Sequence, residues 1–209
     1  MTDMSIEKAP AEHAEHHASP EARAHNLKLA MWLYLASEVV IFASLIAVYV
    51  VFRIHHPDIA KQVHEEANIL LVSLNTFILL SSSWAMVMGL RELQRDNRQG
   101  MVRWIGLTAL LGTIFVGLQV VEYQELAHIG VAIFNQGNEF DGFGMRFYGP
   151  TAFHGVHVIV GVLWALFIVR GGLKGNYSSK NYIGVEIFGL YWHFVDVVWI
   201  ALFTMLYLV

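Results

Sequence analysis

The sequence predicts an all-α, polytopic membrane protein with five transmembrane helices. Two observations carry this. Of 209 residues, 56% are hydrophobic and only 14% charged, whereas a soluble domain carries about 25% charged residues. The chain also contains five apolar runs that reach the ~20 residues needed to cross a hydrocarbon core. Little sequence remains between them to build a soluble domain.

The runs are read in order. Residues 1–26 are polar, rich in Ala, Glu and His (His13, His16, His17, His25), and lack the early apolar core of a signal peptide. They are expected to form a disordered tail, with adventitious metal binding by the histidines as the other reading. The five-helix domain then occupies 27–209. Its first span runs from Leu27 to Phe52 and is stopped by Arg53, His55, His56 and Pro57. It is too long for a signal and no small-residue cleavage site follows it, so it is expected to stay in the mature protein. The second span, Ile69 to Leu90, precedes the charged run Arg91–Arg98. The third covers Trp104 to Tyr123 and the fourth Phe147 to Val169, before Arg170-Gly171-Gly172. The fifth begins near Ile183 and continues to Val209. The longest connection, Gln124 to Arg146, holds Gly130, Gly137, Gly142 and Gly144 and reads as an irregular external loop with a short interfacial segment.

Basic residues in the connections predict the orientation. One side gathers ten: Lys8, Arg23, Lys28, Arg91, Arg95, Arg98, Arg103, Arg170, Lys174 and Lys180. The other has three: Arg53, Lys61 and Arg146. The N-terminus is therefore expected in the cytoplasm and the C-terminus outside. A net charge of −4 gives no electrostatic support for a nucleic-acid partner. The absence of cysteine excludes disulfides, iron–sulfur clusters and thiolate metal sites. No phosphate-binding glycine loop, nucleophile triad or zinc signature is present.

Ionisable groups at bilayer depth are costly and need a partner or a purpose. The spans contain Glu38, Glu122, His154, His157, Glu186, His193 and Asp196. His154 and His157 lie three apart, as do His193 and Asp196, and Glu186 lies two turns before His193, so helical geometry places each set near one face. Three readings stand open. The histidines and Asp196 have the ligand types of a metal or haem site. Glu38, alone in its span, suits a proton path. The third reading has these groups satisfying one another inside a packed bundle. Ser81, Ser82, Ser83, Ala85, Gly89, Gly106, Gly112 and Gly117 suit close helix packing. The tryptophans Trp32, Trp84, Trp104, Trp164, Trp192 and Trp199 read as ordinary membrane aromatics, several at interface depth.

Four strings carry a resemblance. They are Met31-Trp-Leu-Tyr-Leu-Ala-Ser-Glu38-Val-Val-Ile-Phe42, Gly112-x-x-Phe115-x-Gly117-x-Gln119-x-x-Glu122-Tyr123, Phe153-His154-Gly155-Val156-His157-Val158-x-x-Gly161, and Glu186-x-x-Gly189-Leu-Tyr191-Trp192-His193-Phe194-Val195-Asp196-Val-Val-Trp199. In this order, one per predicted helix, they resemble subunit III of haem–copper terminal oxidases (cytochrome c and quinol oxidases), in the five-helix bacterial form. The resemblance covers residues 27–209. Seven-helix members carry two further helices at the start, which this chain lacks.

The resemblance implies an accessory subunit of an oxygen-reducing, proton-pumping complex of aerobic respiration in the bacterial plasma membrane. Haem and copper would reside in partner subunits, with no catalytic, cofactor or metal residue in this chain. It would pack on subunit I beside subunit II and smaller subunits, bind phospholipid, and support proton uptake and sustained turnover. Glu38 matches the family's buried carboxylate, while Glu122, His154, His157, Glu186, His193 and Asp196 match residues that tie helices together. The reading from another class is a self-contained proton-coupled secondary transporter, which calls for internal repeats and broken helices; the sequence has neither. A membrane cytochrome with its own haem ligands is a further rival.

Overall fold

The computed structural model describes residues 20–66, 68–128, 130–131 and 142–208. Among these the architecture is helical, and five helices are long and apolar enough to cross a membrane. Most of the expected tail, residues 1–19, lies outside the described residues. Helix α1 (Pro20–His55) starts seven residues before the expected span. The apolar run marks where hydrocarbon begins, not where helical hydrogen bonding does. Next comes α2 (Pro57–Glu66), a short polar helix that the span pattern does not announce. Its opening Pro57-Asp58 is nonetheless a start signal, with proline pre-set for the first turn and an acid at the positive end of the helix dipole.

Helix α3 (Ile69–Gln94) begins under an Asn68 cap whose side chain accepts the Leu71 N–H. After three intervening residues α4 (Arg98–His128) starts, so the charged run is helical at 91–94 and at Arg98 but turns through 95–97. Helices α4 and α5 (Phe143–Leu173) also reach into the expected irregular loop, which is helical at both ends. Its middle lies largely outside the described residues. Helix α6 (Ile183–Leu202) continues as a π-helical turn, Phe203–Leu208. The carbonyls at that end, which would otherwise lack partners, are met from α1: Tyr49 donates to Leu206 O (3.4 Å) and Arg53 to Met205 O (3.5 Å).

The closest pairing is α3 with α4, followed by α4 with α5; α6 touches α3, α5 and α1, and α1 lies on α5 and α6. Helix α6 is the most buried span and α1 the least. Small residues set the close approaches. A Cβ on Gly89 would meet Ile105 at 2.7 Å, and one on Gly112 would meet Trp192 at 2.7 Å. Gly106 and Gly117 have nothing within 4 Å of that position, so only part of the glycine set packs as expected.

The α3–α4 and α5–α6 connections are joined. Asp96, at φ 60°, accepts the Ser179 backbone N–H at 2.8 Å. That N–H, then the Ser179 hydroxyl, hold the Asp96 carboxyl below its ordinary value of 3.8. A depressed folded-state value means that the tie is complete above 3.8 and is lost as pH falls through the lowered value. Asp96→Gly removes the carboxylate without straining the positive φ. It should speed hydrogen exchange of the Ser179 amide at neutral pH, and the difference from the parent protein should disappear once Asp96 is protonated.

Candidate functional site: the buried polar groups

Glu38 on α1 is buried, and its Oε2 lies 3.3 Å from His157 Nε2 on α5. Phe42, one turn further along α1, seats this contact against the rings of Phe153 (5.1 Å), His157 (5.4 Å) and Phe194 (6.5 Å). The other ring nitrogen, Nδ1, lies 2.9 Å from Phe153 O. A carbonyl only accepts, so Nδ1 carries the proton. In the neutral ring Nε2 then presents a lone pair to a carboxyl oxygen, and two lone pairs repel. The two atoms stand at ion-pair distance, yet Glu38 Oε2 has no hydrogen-bond partner; a proton on either group would turn the approach into a hydrogen bond. Tyr191 on α6 donates to His157 O at 2.8 Å and locks this stretch of α5 from the third side.

His154 does not join His157. Its ring stacks on Trp199 (5.0 Å, 28°) and meets Phe115 edge-on (5.7 Å, 85°), and neither nitrogen has a hydrogen-bond partner. Three residues advance a helix by about 300°, leaving the two rings about 60° apart. That angle separates α1 from the α4–α6 interior.

The α6 groups also divide. Glu186 pairs with Lys28 of α1 at 2.7 Å, partly exposed at the bundle edge; such a pair contributes about 0–1 kcal/mol. His193 Nδ1 lies 2.5 Å from Ser83 Oγ of α3. Asp196 is buried with no hydrogen-bond partner on either oxygen. Glu122 accepts from Gln119 of its own helix at 2.5 Å, with Tyr207 of the π turn alongside.

Residue types alone did not single out the contacts that join α6 to α3. Trp192 Nε1 donates to Ser82 Oγ (2.9 Å) and Trp199 Nε1 to Thr76 Oγ1 (2.9 Å). With His193–Ser83 they form an antiparallel zipper. These two tryptophans are fully buried, unlike the exposed Trp32 and Trp84. A buried indole N–H must find an acceptor, and the matched spacing of tryptophans and hydroxyls was the available signal. The Trp192 ring also lies against Gly112 of α4 and Gly161 of α5. Among the described residues, no group of three or more His, Asp or Glu side chains gathers as a metal site.

Fold and site together define a multi-pass membrane helix bundle in which some buried polar side chains meet across helices, as in Glu38–His157, Trp192–Ser82 and Trp199–Thr76, while His154 and Asp196 have no hydrogen-bond partner. The family model for cytochrome c oxidase subunit III matches residues 3–209, and the chain belongs to that family. It is 36% identical over 208 residues to cytochrome c oxidase subunit 3 of Synechocystis sp., covering 99% of this chain and 84% of the relative. Against cytochrome c oxidase subunit 3 of Thermostichus vulcanus the identity is 35%, covering 94% and 91%. Against quinol oxidase subunit 3 of Bacillus subtilis it is 34%, covering 94% and 97%.

Proposed function

We propose that the chain is the accessory subunit III of a proton-pumping haem–copper oxygen reductase in a bacterial plasma membrane. Its N-terminus faces the cytoplasm and its C-terminus the outside, as the ten-to-three division of basic residues favours. It packs on subunit I beside subunit II. Haem and copper sit in those partners, and this chain binds no redox centre. The polar N-terminal segment leads into the five-helix domain, whose first helix already begins at Pro20.

The observation that carries the reading, beside family membership, is how the buried polar groups are used. Glu38 is engaged with His157, His193 with Ser83, and His154 is packed between aromatic rings. Groups committed in this way tie helices and are not free to bind a substrate. The exposed apolar side of α1, including Leu33, Val40 and Val51, suits phospholipid or the face of a partner subunit. Glu38, buried beside His157, is where support of proton uptake would act.

The test is purification in mild detergent through a C-terminal tag, reading the co-purifying chains and the visible haem spectrum. A large haem-bearing partner is expected, with the haem lost when this chain is separated from it. A haem spectrum on the isolated chain would overturn the assignment. In the assembled complex Glu38→Ala should leave the initial rate of oxygen consumption near the parent value; complete loss would mean a catalytic role.

A further inference from the structure

We propose that the groove between the start of α4 and the end of α5 is a headgroup site for an anionic phospholipid. The site is separate from any lipid along α1, because α1 packs on α5 and α6 and the groove opens between α4 and α5. It is lined by Arg98, Gln99, Val102, Arg103, Gly172 and Leu173 around a cavity of about 320 Å³.

Charge is the first argument. Arg98 and Arg103 are both exposed, and no carboxylate among the described residues stands at ion-pair distance from either. The acids in the adjoining connection are already engaged, Asp96 with the Ser179 N–H and Glu92 with the Asn97 amide at 2.5 Å. Arg98 is also positioned: a Cβ on Gly175, just past α5, would stand 2.7 Å from its Nη1. Two guanidinium groups without a counter-ion are a phosphate-binding arrangement.

The apolar side of the groove decides the source of the phosphate. Gly172 lets α4 approach closely, since a Cβ there would meet Val102 at 2.7 Å and Met101 at 2.8 Å. Beside this floor Leu173 is 71% exposed. The polar mouth lies where two membrane-spanning helices end, and the apolar floor continues along them. A soluble phosphate would use only the mouth; a lipid uses both. A zwitterionic headgroup would bring its own cation to a pair of arginines with no carboxylate among the described residues to receive it, so the lipid is anionic.

This inference rests on the membrane-spanning fold and not on the accessory role, so a failed co-purification leaves it standing. The test uses the protein extracted in mild detergent with the partners it retains. Native mass spectrometry then reads lipid retained after exposure to phosphatidylglycerol or phosphatidylcholine vesicles. Phosphatidylglycerol should be retained in preference. Removing one basic group near a membrane surface weakens anionic-lipid binding about five-fold. Arg98→Gln/Arg103→Gln should therefore lose about twenty-five-fold, Arg98→Lys/Arg103→Lys should lose much less, and Lys61→Gln should change nothing. Equal retention of phosphatidylcholine, an unchanged double glutamine variant, or complete displacement by inorganic phosphate would each overturn the proposal.

Discussion

Trp192→Ala is expected to destabilise the folded bundle by about 3 kcal/mol, near the low end for deleting a buried aromatic ring. The low end applies because lipid tails are as apolar as the interior, so the transfer contribution largely vanishes and the lost packing remains. That packing is extensive: the indole lies against Gly112 of α4 and Gly161 of α5 and donates to Ser82 of α3. Gly161→Ala attacks the same contact from the other side, because its Cβ would stand 2.5 Å and 2.7 Å from ring carbons of Trp192. A rigid ring cannot bend away, so one helix must shift, at an overpacking cost of about 1–3 kcal/mol. Ser82→Ala removes only the acceptor, and interhelical hydrogen bonds in membranes average about 0.6 kcal/mol. Thermal unfolding in mild detergent should therefore rank the losses Trp192→Ala, then Gly161→Ala, then Ser82→Ala. A Ser82→Ala loss equal to that of Trp192→Ala would mean that polar pairing, and not packing, joins these helices.

The spans were legible because run length against bilayer thickness is a nearly sufficient criterion, and α3 and α6 begin at the expected Ile69 and Ile183. The ends of α4 were not, since it runs from Arg98 to His128 through charged residues that hydropathy assigns to connections. Helix α2 was invisible to that criterion, being short and polar. Glu38 and the histidines stood out because an ionisable residue in an apolar run is conspicuous. Their partners did not, because helical spacing fixes relative angle but not which neighbour lies at that angle. His154 and His157 differ by about 60° and reach different helices. The same gap hid Trp192 and Trp199, whose residue type suits the lipid interface and the interior equally.

A proton shared between Glu38 and His157 should appear as energetic coupling between them. In His157→Phe the buried carboxyl loses the imidazole and keeps Tyr34 as its neighbouring polar group. In Glu38→Leu the ring keeps its Nδ1 hydrogen bond to Phe153 O, and Nε2 faces an apolar side chain. Each single variant thus strands one buried polar group, at about 1–3 kcal/mol. The double variant strands neither, and replacing a whole buried pair by apolar groups is often close to neutral. Thermal or denaturant unfolding of the four proteins should therefore show the double variant more stable than the sum of the singles predicts, by at least about 1 kcal/mol. Infrared difference spectra should also show the carboxylic or carboxylate band of Glu38 moving in His157→Phe. Strict additivity with an unmoved band would mean that the two groups hold their protons independently. In that case the 3.3 Å approach is packing alone, and any support of proton uptake by Glu38 proceeds without His157.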